Sequence, residues 1–212
     1  METFQLRPRG AAARGFTLIE TMVAILVLSV GLVGLASLAA QSLSGTSRSR
    51  FSAAAADLAT EKLEDLSRWP VFDPANNIAD PNIYAASGTT VGSLTSDTFA
   101  TVTSGGIPAE LVNYYDDVEI SNSSGAISET VSQVIAGVTS YKTTSHNPDG
   151  TITTSTSTSK TAADVGAIGF HRRWTIEMDQ PVTSLRRITV LVTLENSYVS
   201  PPVSFQMTMV RP

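Results

Sequence analysis

The chain has 212 residues, 14 of them basic and 19 acidic, with 42% apolar residues and no cysteine. That length allows one domain, or one domain with an appendage, and the apolar content suffices for a core. Lack of thiols excludes disulfides, zinc–thiolate sites and a cysteine nucleophile, while a formal net charge of −5, more negative still once Arg7, Arg9 and Arg14 are set aside, makes nucleic acid a poor direct partner.

The first predicted element begins at Phe16. From there to Leu43 the only ionisable residue is Glu20. An apolar helix of 18 or more residues is long enough to cross a bilayer core of roughly 30 Å. Arg7, Arg9 and Arg14 form a basic flank, which keeps the N-terminus cytoplasmic and sends the remainder outward. Three readings compete. A secretory signal peptide would be cut near Ser37-Leu38-Ala39, but its apolar region is normally about 7–15 residues, and this run is longer and carries an acid. A plain signal anchor accounts for the length and not for Glu20, because an ionised group in lipid costs about 3 kcal/mol unless partnered. The third reading supplies the partner. Cleavage between Gly15 and Phe16 creates a positive α-amine, and Glu20, fifth in line from Phe16, lies about one helical turn away. The carboxylate then pairs with its own amine or a neighbouring subunit's, and a lone member of such a pair is costly in a low dielectric. Glu20 would thereby report axial register between subunits.

Arg14-Gly15-Phe16-Thr17-Leu18-Ile19-Glu20, followed directly by the apolar run, resembles the class III leader of type IV prepilins and type II secretion pseudopilins. The resemblance implies cleavage after Gly15 by a prepilin peptidase that is also a methylase, N-methylation of Phe16, and Glu20 as the subunit-assembly residue. It implies a subunit held in the bacterial inner membrane by a single pass, head periplasmic, before it enters a pilus or pseudopilus at the cell surface. Its partners would be other minor and major pilins, or pseudopilins, met through the N-terminal helix. The continuation Met22–Leu32 is similar to V-type minor pilins and also to I-type minor pseudopilins. Major pilins of the family often carry a helix-breaking proline midway along this segment and a C-terminal disulfide loop. Here no proline occurs between Phe16 and Trp69, and there is no cysteine, so both departures point to a minor subunit.

After a polar stretch around Gly45, apolar residues resume at Phe51, Ala54, Ala55, Leu58, Ala59, Leu63, Leu66 and Trp69. Steps of three and four mark an amphipathic helix, with Asp57, Glu61, Glu64, Asp65 and Arg68 on its wet face and Pro70 as its stop. The predicted organisation is a leader over 1–15, a transmembrane and filament-core helix over 16–43, the amphipathic half over 44–69, an irregular connection over 70–110, and an antiparallel β head over 111–212. Within the connection, Thr98–Thr103 reads as a strand. Leu111–Ile120 reads as the next. Thr139–Lys160 is polar and threonine-rich, and Asn147-Pro148-Asp149-Gly150 is a turn signal between Tyr141–His146 and Thr151–Ser157. This predicts a polar hairpin near 141–157, solvated on both faces; a disordered segment is the alternative. Trp174, Ile176 and Met178, then Ile188, Val190, Val192 and Leu194, then Val203, Phe205, Met207 and Met209 alternate with mainly polar neighbours, the pattern of half-buried strands. Three antiparallel strands packed on helix 51–68 give an α+β roll, the type IV pilin fold that the resemblance implies. Arg172-Arg173-Trp174 through Val190 again resembles V-type minor pilins.

No glycine-rich phosphate loop, G-x-S-x-G or H-E-x-x-H occurs, so the chain reads as a non-catalytic protein with no cofactor. His146 beside a turn and His171 ahead of a strand read as surface or capping residues. Asp116, Asp117 and Glu119 offer oxygens that suit calcium, against the plainer reading of a solvated strand edge. Arg172–Arg173 and Arg186–Arg187 read as surface charge on neighbouring strands. The expected function is that of a minor pilin, a structural subunit that primes or caps pilus assembly. The alternatives are an I-type minor pseudopilin of a type II secretion system and a membrane-anchored periplasmic binding domain or enzyme; the last requires a concave site with convergent polar groups.

Overall fold

The computed structural model describes residues 17–68, 72–73, 78–79, 85, 87–102, 110–135, 138–195 and 201–212; the Gly15–Phe16 junction lies outside them. The chain divides into two compact units, residues 1–46 and 47–212. Helix α1, Leu18–Arg68, contributes to both.

In the first unit α1 is apolar and long enough to cross a membrane, and none of that window is buried. Leu18, Met22, Leu26 and Val33 all stand open. Several of its hydroxyls bond back onto the helix: Ser29 Oγ donates to Leu26 O at 2.8 Å and Ser44 Oγ to Gln41 O at 2.9 Å. Such back-bonding removes the penalty of a polar group in an apolar medium.

In the second unit the helix is two-faced. Ala55, Leu58, Ala59, Leu63 and Leu66 are buried, while Asp57, Glu61, Glu64 and Asp65 are exposed. The three-and-four spacing puts the apolar set on one stripe, and that stripe lies on the sheet, in a core with Val118, Phe170, Trp174, Ile176, Ile188, Val190 and Val192. The last carbonyls of α1 are capped from the sheet: Arg211 Nη1 donates to Leu66 O at 3.1 Å and Ser67 O at 2.8 Å. A cation there also meets the negative end of the helix dipole.

The short strands β1 (Phe72–Asp73) and β2 (Ile78–Ala79) pair with each other, as do β4 (Phe99–Val102) and β5 (Glu110–Asn113). The main sheet is antiparallel. It contains β6 (Tyr115–Ile120), β7 (Ile127–Ile135), β8 (Val138–His146), β9 (Ile152–Ser157), β10 (Ile168–Met178), β11 (Arg186–Leu194) and β12 (Ser204–Arg211) in the order β12-β11-β10-β6-β7-β8-β9. The three C-terminal strands are consecutive and antiparallel, as the alternation predicts. Together with α1 they make an α+β, type IV pilin-like architecture.

Several details depart from the sequence reading. Leu111–Ile120 is two strands broken at Tyr114, where the chain stops pairing with β4 and starts pairing with β10. Tyr114 N donates to Thr98 O at 2.9 Å and Tyr114 O accepts from Trp174 N at 3.0 Å. Strand β7 was not anticipated at all. The hairpin β8–β9 turns at 147–151, with Asn147 N donating to Thr151 O at 2.9 Å. It is not solvated throughout: β9 is exposed along its length, but β8 is half-buried beside β7. His171 lies inside β10 rather than ahead of a strand.

The long β10 has β11 along one side. On the other side β6 covers its first half and β3 (Thr90–Gly92) its second. Gly92 closes this junction with φ +80°, and a Cβ there would overlap the Trp174 carbonyl. Gly88 has a similar φ of +68° with open space around it. Gly92→Ala is therefore expected to lower stability by roughly 2 kcal/mol or more, beyond the cost of the left-handed backbone alone. Gly88→Ala should lose only the smaller, conformational part, and thermal melts of the two variants read the difference.

Candidate functional site

Two groups of residues carry chemistry. The first is the start of α1. Thr17 N donates to Glu20 Oε2 at 2.9 Å, Thr17 Oγ1 donates to the same oxygen at 3.0 Å, and Glu20 N donates to Thr17 Oγ1 at 3.4 Å. This is a capping box, in which a Thr and a Glu three residues later satisfy each other's free amides. The pattern Thr-x-x-Glu ahead of an apolar run is its sequence sign, and the sequence reading passed over it. Glu20 is thus held at the helix N-terminus with its carboxylate on the amide of residue 17. In the sequence Thr17 directly follows Phe16, the residue that cleavage after Gly15 would expose.

The second group is electrostatic and lies in the head. Asp116 on β6 and Arg172 on β10 sit opposite each other in register. Arg172 Nε and Nη2 donate to the two Asp116 oxygens at 2.7 and 2.8 Å, and Nη2 also donates to Glu129 Oε1 on β7 at 2.8 Å. Lys62 of α1 brings its Nζ to 3.1 Å from Asp116 Oδ2 and lies 4.2 Å over the Trp174 ring. Both Asp116 and Arg172 side chains are 0% exposed. Burial alone would raise the Asp116 pKa, but Lys62 and Arg172 outweigh it and hold the carboxyl at about 2. For Arg172 burial opposes the charge, and Asp116 and Glu129 more than restore it. A fully paired, bidentate network of this sort is tolerated in a core where a single ion is not. It ties helix to sheet.

This corrects two expectations. Asp116, Asp117 and Glu119 are not one solvated acidic edge. Alternation sends Asp116 into the core, whereas Asp117 and Glu119 lie on the opposite face of β6. The arginines are not plain surface charge either: in register Arg172 is opposite Val192, and Arg187 opposite Glu177. Arg172 and Arg186 are buried, and Arg187 makes a bidentate pair with Glu177 at 2.6 and 2.9 Å.

On that opposite face His171 is gripped on both ring nitrogens. Nδ1 contacts the Asp117 carboxylate, Nε2 lies 2.8 Å from Asp97 Oδ1, and the ring stacks on Tyr115. The Asp117 bond, against partial burial and with help from Asp97, pushes the imidazole pKa above its usual value. Lys160 Nζ binds the other Asp117 oxygen at 2.7 Å, and Arg173 Nε holds Asp97 at 2.8 Å. Beyond it, β7 and β8 present hydroxyls that pair across the strands: Ser128 with Ser145 at 2.7 Å and Thr130 with Thr143 at 3.0 Å.

Residues 11–36 match the prokaryotic N-terminal methylation motif. The match takes in Arg14, the Gly15–Phe16 junction, Glu20 and the start of the apolar helix. It supports a type IV pilin or pseudopilin, a class whose members are structural and not catalytic. The leader implies processing by a prepilin peptidase and assembly with other pilins, and with the apolar helix it fits anchoring in the inner membrane before entry into a pilus. No curated protein and no solved structure matches the chain.

Proposed function

We propose that this protein is a minor type IV pilin of V type, cut between Gly15 and Phe16 and methylated on Phe16. It helps prime or cap pilus assembly together with other minor pilins. The observation that supports this reading most directly is the capping box that parks Glu20 beside residue 17 at the head of an unburied, membrane-length apolar helix. A helix of that kind has to be covered by lipid or by other helices. Glu20 supplies the one specific charge with which a neighbouring amine can register.

Function then lies in assembly. The apolar helix leaves the bilayer and bundles with its neighbours, each Glu20 neutralising the amine of an adjoining subunit. The I-type pseudopilin reading uses the same chemistry in a periplasmic filament. In the native host, Gly15→Leu should accumulate as a full-length precursor in the membrane. Deletion of the gene should reduce surface pili strongly and leave type II secretion intact. Lost secretion with normal piliation would favour the pseudopilin, and normal processing of Gly15→Leu would remove the leader assignment itself.

A further inference from the structure

We propose that Asp117, His171 and Glu195 form a binding site for a divalent transition-metal ion of zinc type. The three come from different parts of the head: Asp117 from β6, His171 from β10, and Glu195 from just after β11. One donor atom from each lies within 4.8 Å of the other two, so small rotations bring all three onto one ion. His171 Nδ1 is 4.0 Å from Glu195 Oε1 and in contact with Asp117.

The surroundings are those of a ligand set. His171 Nε2 lies 2.8 Å from Asp97, and Asp97 is fixed by Arg173 at 2.8 Å. A carboxylate on the far nitrogen of a metal-binding imidazole sets the tautomer and orients the ring, leaving the near nitrogen for the ion. Glu195 is tied by its backbone, Glu195 N donating to Gly169 O at 2.9 Å. Gly169 also leaves room for its carboxylate, since a Cβ there would come within 3.1 Å of Glu195 Oε2. Asp117 and Glu195 further line an open cavity of about 400 Å³, which gives an ion a way in and space for waters to complete its shell.

The charges agree. Asp97, Asp117 and Glu195 bring three negative charges against Arg173 and Lys160. With the Lys160 ammonium displaced from Asp117, the three carboxylates and Arg173 together carry a charge of −2, which a divalent ion balances. One imidazole with two carboxylates suits zinc and its neighbours. Calcium takes oxygen donors alone and would leave the imidazole unused.

The test is calorimetric titration of Zn²⁺ into the full-length chain in detergent, with His171→Gln, Glu195→Gln and His146→Gln alongside and folding followed by circular dichroism. The expected result is one ion per chain. Affinity should fall roughly ten-fold or more in the first two variants, stay unchanged in the third, and show no competition from Ca²⁺. Should either ligand variant fail to fold, Co²⁺ added to the wild type should broaden the His171 ring resonances and spare those of His146. No binding at 100-fold excess over protein, equal binding by the folded ligand variants, or broadening of both histidines alike would overturn the site.

Discussion

Arg172→Ala is expected to destabilise the head by about 3–5 kcal/mol, because it leaves Asp116 charged and buried with only Lys62 beside it. Asp116→Ala should cost less, because Arg172 keeps Glu129 as a partner at 2.8 Å. The double variant Asp116→Leu/Arg172→Met should lose less than either single change, since it removes the desolvation cost along with the attraction. Urea unfolding of the full chain in detergent measures all three. Acid provides a second reading. The Asp116 carboxyl is held down to about 2, below its unfolded value of roughly 3.9. Its contribution is therefore complete above about pH 4 and is lost as the pH falls toward 2. The gap between wild type and Asp116→Ala should narrow over that window. Single variants within about 1 kcal/mol of wild type would mean that the network does not hold helix to sheet.

Glu20→Ala is expected to be processed and inserted normally and to assemble badly. It removes an acid that is expensive in lipid, by about 3 kcal/mol at the bilayer centre, so membrane residence should not suffer. What is lost is the counter-charge for a neighbour's amine. A loss of about 2–3 kcal/mol per contact corresponds to roughly 30- to 150-fold in the association constant. Because Glu20 also caps its own helix, alanine alone leaves two explanations open. Glu20→Gln separates them, since glutamine serves in a capping box but carries no charge. The pairing account expects Gln to assemble as poorly as Ala, read as pilus recovery or cross-linking to other minor pilins. Wild-type piliation of Glu20→Ala would refute the role outright, and rescue by Gln would reduce Glu20 to a cap.

The fold was legible wherever burial imposed a period. Ala55, Leu58, Leu63 and Leu66 follow the helical stripe, and Ile188, Val190 and Val192 follow strand alternation, because each faces one common core. Asn147-Pro148-Asp149-Gly150 was legible as a turn from local backbone chemistry alone. Strand β7 was not, because Ser128, Thr130 and Ser132 face hydroxyls of β8 and Tyr115 instead of a core. On its other face Glu129 and Gln133 interrupt Ile127 and Val131, so the apolar alternation is too broken to mark a strand.

The charged sites show a similar limit. At the N-terminus the motif is contiguous in the sequence, so Gly15, Phe16 and Glu20 could be read together. The pairings of Arg172 with Asp116, and of His171 with Asp97 and Glu195, depend on sheet order and on connections dozens of residues long. Arg172 looked like surface charge because a buried arginine announces itself only through its partners. Alternation did contain one clue. Arg172 has the parity of Trp174 and Ile176, which point inward, and Asp116 that of Val118.

The central claim is that proteolysis creates the cation that Glu20 meets. Intact-mass and N-terminal fragment analysis of the protein from its native membrane tests it most directly. The account predicts a chain that begins at Phe16 and carries a methyl group on its amine. A chain that begins at Met1, or anywhere beyond Ala36, would contradict it.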